Sequence, residues 1–63
     1  MLPDWIFKRQ EVEKSKSNLQ GADLCDVKLM KAQLEEANLS QADLTNAYLI
    51  KANIKKANLS DAN

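Results

Sequence analysis

The 63-residue sequence contains no histidine, one cysteine, one glycine, one proline, and one each of tryptophan, tyrosine and phenylalanine. Each scarcity removes a class of function. Without histidine, Cys25 has no partner for a cysteine–histidine nucleophile, and metal centres built on histidine or on several cysteines are ruled out. A single cysteine also excludes an intramolecular disulfide framework. Gly21 alone cannot supply a glycine-rich phosphate loop. Nine basic residues balance nine acidic ones, so the chain offers no global charge to nucleic acid or to an anionic membrane. It has no long apolar run and no cleavable leader pattern, which points to a reducing, soluble compartment, by default the cytoplasm. No cofactor and no catalytic activity are expected. At this length a conventional core buries too small a fraction of its surface for comfortable stability, so the fold requires regularity, a partner or a longer parent.

Regularity is what the sequence has in abundance. From Ser17 onward, leucine or isoleucine recurs every fifth residue, at Leu19, Leu24, Leu29, Leu34, Leu39, Leu44, Leu49, Ile54 and Leu59. Two residues before each stands a small side chain: Ser17, Ala22, Val27, Ala32, Ala37, Ala42, Ala47, Ala52 and Ala57. Alanine, leucine, lysine and glutamate favour helix, yet a five-residue step turns an α-helix by about 140°, which scatters the leucines around the axis. In a flat strand, leucines five apart fall on opposite faces. A chain that turns a corner once per unit satisfies the spacing, because every unit then presents its small residue and its leucine to one interior. The spacing therefore predicts a solenoid over 17–63, with these leucines, Ile54 and the alanines as its core.

The unit reads Ala, Asp or Asn, Leu, then two loose positions, and the sequence resembles the pentapeptide repeat family over about three quarters of its length. The stretch ANLSQADLTNAYLIKANIKKANLSDAN carries the resemblance most closely, and SNLQGADLCDVKLMKAQLEE more loosely. The resemblance implies an all-β solenoid, a right-handed quadrilateral β-helix in which four pentads make a coil, here just over two coils. It places the Asp or Asn at the corners, and a ladder of Asn18, Asn38 and Asn58 is expected between coils. It also turns the variable residues outward.

Residues 1–16 hold the proline, tryptophan and phenylalanine and lack the five-residue rule. They read as a short helical cap or linker, with Asp4 as N-cap and Trp5, Ile6 and Val12 toward the repeat. Trp5, Ile6 and Phe7 beside Lys8 and Arg9 also admit attachment to a membrane surface, against which Glu11 and Glu13 weigh. At the other end the sequence stops two residues into a tenth unit. It is either a fragment of a longer solenoid, or its open end meets a copy of itself or another protein.

Placing successive units on four faces groups Met30 under Ile50 and Tyr48 over Lys28. Met30, Tyr48 and Ile50 are the candidate protein-contact surface, since apolar side chains in outward positions exceed what solubility needs. The same assignment stacks Glu35 near Lys55 and Glu36 near Lys56, and gathers Asp23, Asp26, Asp43 and Asp61 on the other half. The function expected is a non-enzymatic structural or protein-interaction module with an unidentified protein partner. The resemblance raises one alternative: some family members, notably quinolone-resistance proteins, mimic DNA and occupy DNA gyrase. Here the net charge is zero and no unit has phenylalanine in its central position, so direct nucleic-acid binding is not expected and mimicry has little to rest on.

Overall fold

In a computed structural model, residues 2–63 are described; Met1, the first residue of the segment expected to cap the repeat, lies outside them. The chain opens with α1, Asp4–Lys14. Asp4, expected as the N-cap, is the first helical residue, and Pro3 takes the cap position with φ −62° and ψ 149°. Proline has no N–H to leave unsatisfied there, and the Asp4 carboxylate lies in the first turn, where the helix dipole favours a negative charge. The helix ends at Ser15, whose N–H reaches back to the carbonyls of Glu11 and Val12 at 3.2 and 3.1 Å. A 3₁₀ turn, Lys16–Asn18, then leads into the repeat.

From Leu19 the backbone meets itself at an interval of 20 residues, through the parallel bridges Asp23–Asp43, Lys28–Tyr48, Gln33–Asn53 and Asn38–Asn58. These are isolated bridges, not the strands that an all-β reading anticipates. The unit itself explains the difference. Two of its five residues make a corner and leave only the central one to bridge, so no run of consecutive pairs can form. Each unit from 17–21 to 37–41 nevertheless joins the layer above by two N–H groups. Leu24 donates to Asp43 O at 2.8 Å and Asp26 to Thr45 O at 2.9 Å, while Asp43 N–H returns to Ala22 O at 2.9 Å. Stacking thus replaces the sheet as the source of backbone pairing.

The corners are closed by a bond from the small residue of one unit to the leucine carbonyl of the unit before, as in Ala32 N to Leu29 O at 3.0 Å. The residue just before that donor has positive φ throughout: Gly21 at 70°, and Asp26, Lys31, Glu36, Gln41, Asn46, Lys51, Lys56 and Asp61 at 59–63°. A left-handed third residue is the type II turn pattern, for which glycine is the least strained choice. Only the first corner has it. The others use Asp, Asn, Lys, Glu or Gln, none branched at Cβ, which is the side-chain feature that tolerates this region worst.

Leu24, Leu29, Leu34, Leu39, Ala32, Ala37 and Ala42 are buried, joined by Leu19 and by Val12 of α1. Ala22, Val27, Leu44, Leu49, Ala52, Ile54 and Ala57 pack against them half-buried, and Ala47 is half-buried too. Leu59 departs from its expected interior place and is 41% exposed. It stands in the uppermost layer, with no further leucine stacked over it. In α1, Trp5 and Ile6 are half-buried and Phe7 is exposed.

The Asn18–Asn38–Asn58 ladder does not form. Asn18 lies in the 3₁₀ turn, outside the bridge register. Asn38 Oδ1 accepts the N–H and hydroxyl of Ser40 at 3.2 and 2.8 Å, and Asn58 Oδ1 does the same for Ser60 at 3.0 and 2.8 Å. A short amide reaches its own corner more easily than the next layer, so the central Asn or Asp ties the turn locally.

Candidate contact surface

The surface of interest is one unit wide and two layers high, residues 27–31 beneath 47–51. Its register follows from the Lys28–Tyr48 bridge and from the bonds Leu29 N to Tyr48 O at 2.8 Å and Lys31 N to Ile50 O at 3.0 Å. At that register Met30 lies under Ile50 and Lys31 under Lys51. Tyr48 is 49% and Ile50 67% exposed, because their positions in the unit point away from the leucine column. Met30 is only half-buried, less open than its outward position suggests. The Arg9 guanidinium of α1 reaches this corner, where Nη1 donates to Met30 O at 3.0 Å. These ten residues include three lysines, Lys28, Lys31 and Lys51, and no acidic side chain.

Arg9 and Glu13 have a role that the sequence reading missed. The lower edge of the first layer presents backbone groups that have no layer beneath them to pair with. Arg9 supplies a donor to the Met30 carbonyl, and Glu13 Oε2 accepts the Gln33 N–H at 2.7 Å. Four residues apart, the two lie on one face of α1 with Trp5, whose ring centre is 5.7 Å from the Arg9 guanidinium carbon. The signal available was this Trp5, Arg9, Glu13 stripe at helical spacing.

On the neighbouring units, Asp23, Cys25 and Asp43 bring a carboxylate, a sulfur and a second carboxylate within 4.8 Å of one another. The Asp43 carboxylate first, and Asp23 second, hydrogen-bond the Cys25 thiol and push its pKa up to about 12. The same thiol, with Thr45, holds the Asp43 carboxyl below its ordinary range. A thiol kept protonated is neither a nucleophile nor a ready metal ligand. Thr45 donates its N–H and hydroxyl to Asp43 Oδ1 at 3.0 and 2.6 Å, so Asp43 also serves its own corner. On the fourth side, Glu35 accepts from Asn53 Nδ2 at 3.3 Å, where pairing with Lys55 was expected.

An open groove of about 350 Å³ separates α1 from the first layer, bordered by Lys8, Glu11 and Asp23 as well as apolar side chains. Its mixed charge and wide mouth bring no set of groups to a common point. Among the described residues, no helix is long and apolar enough to cross a membrane.

Comparison with curated proteins and with solved structures returns no match. The family model for pentapeptide repeats matches residues 28–63 in 8 copies, more than half of the chain and most of the stacked stretch that begins at Leu19. With that match and the five-residue corners in register, the chain belongs to the pentapeptide repeat family.

Proposed function

We propose that residues 17–63 are a short right-handed quadrilateral β-helix acting as a non-enzymatic protein-interaction module, with Met30, Tyr48 and Ile50 as its contact surface. The observation that carries this reading is the pair Tyr48 and Ile50, 49% and 67% exposed: Tyr48 stands where the motif has Asp or Asn, and Ile50 is in a variable position. The alanine and leucine are committed to the interior and the Asp or Asn to the corners, so the variable residues, and a departure from the motif such as Tyr48, are what is free to differ for a partner. An aromatic and an aliphatic side chain on a rigid backbone are the kind of anchor that interfaces bury. The family's usual lack of catalysis agrees with the thiol of Cys25 being held protonated.

The test is capture of partners by the immobilised protein and by the variant Met30→Ser/Tyr48→Ser/Ile50→Ser. The variant is expected to keep the far-ultraviolet spectrum of the parent and to lose the captured protein. Undiminished capture by a folded variant rejects this surface.

A further inference from the structure

We infer that the Tyr48 and Ile50 face takes a short acidic segment of a protein partner, an extended peptide whose Asp or Glu side chains meet Lys28, Lys31 and Lys51 around an apolar anchor. The inference rests on the contact surface proposed above and adds the chemistry of what fills it. Charge is the first ground. Units 27–31 and 47–51 carry three lysines and no acid, and Arg9 adds a fourth cation at their lower border through its bond to Met30 O. Units 22–26 and 42–46, around the next corner, carry Asp23, Asp26 and Asp43 and no cation. The face is therefore net positive and lies beside a net negative one, on a molecule whose net charge is zero.

Size is the second ground. Two layers at a spacing of about 4.8 Å make the face about 10 Å high, far short of the roughly 800 Å² per partner that a stable globular interface buries. An extended segment, anchored by one side chain and steered by charge, matches it better than a folded domain does. The acidic side around the next corner also argues against a bilayer or a duplex. Either is broader than this small molecule and would bring anionic groups against the aspartates of the next side.

The probe is a fluorescein-labelled peptide with Glu and Asp around a central Leu-Phe pair, compared by anisotropy with the same peptide carrying Gln and Asn. The acidic peptide is expected to bind at least about ten-fold more tightly than the amide peptide, and to weaken by a similar factor between about 20 and 200 mM salt. Binding should be lost in Lys28→Glu/Lys31→Glu/Lys51→Glu, reduced in the milder Lys28→Gln/Lys31→Gln/Lys51→Gln, and kept in Lys55→Glu/Lys56→Glu, each checked for folding by circular dichroism. Equal binding of both peptides, lost on Tyr48→Ser/Ile50→Ser, overturns the acidic partner while leaving the contact surface standing. Acidic-peptide binding indifferent to every variant of this face overturns both. Failure of the acidic peptide to bind, or selective binding of phosphatidylserine-rich vesicles in its place, overturns the inference.

Discussion

Thr45 and Asn46 share one corner under opposite demands. Thr45 can be branched because its backbone is ordinary and its hydroxyl bonds Asp43, whereas Asn46 has φ +61°. Asn46→Val should cost about 1–2 kcal/mol in chemical denaturation, from forcing a branched side chain into the left-handed region. Thr45→Val removes one exposed side-chain bond and should cost less. Position within the stack matters in the same way. Leu34 is fully buried and Leu34→Ala should lose about 2–5 kcal/mol, whereas the same change at Leu59, 41% exposed, should lose well under half as much.

The Asp43 and Cys25 pair makes a prediction in pH. Asp43 has a lowered folded pKa, so its contribution is present above the unfolded carboxylate value near 4 and is lost as acid takes pH down through the folded value. Cys25 runs the other way: its raised pKa means a contribution present below the unfolded thiol value, about 8.5, and lost as pH climbs toward about 12. Accordingly, Asp43→Asn should lower the thiol pKa and speed alkylation of Cys25 at mildly alkaline pH. An unchanged rate would mean that Asp43 does not control the thiol.

At the scale of elements, α1 does for the first layer what another layer would do. Its charged side chains occupy the places of missing backbone partners at Met30 and Gln33. Arg9→Ala and Glu13→Ala should each destabilise the protein by about 1 kcal/mol, and the double variant by close to the sum, because the two bonds have separate acceptor and donor sites. This is also where the sequence was least legible. The existence of the helix follows from residues 4–14 lacking glycine and proline, but reading its face from Trp5, Ile6 and Val12 assumes an apolar target. A layer edge is partly polar, and it selects an arginine and a glutamate that a hydrophobic criterion passes over.

For the whole molecule, the five-residue spacing of leucine was enough to exclude a continuous helix and a flat strand. It left open how many units close a layer. Four was implied by the resemblance, and the bridges at an interval of 20 residues show it directly. Burial at the ends was not legible, since an identical motif gives a buried Leu29 and an exposed Leu59 according to how many layers surround it. Tyr48 and Ile50 were legible as surface residues because the unit assigns them no interior task. Met30, read as outward by the same rule, is half-buried at the corner that Arg9 of α1 reaches.

The most direct test of the stacked account is residue-resolved amide hydrogen exchange. Slow exchange is predicted at Leu24, Asp26, Leu29, Lys31, Leu34 and Glu36, whose N–H groups donate to the layer above, with fast exchange at the intervening variable residues Met30 and Glu35. Uniform protection through residues 17–63, as in one long helix, or no protection there at all, would contradict it.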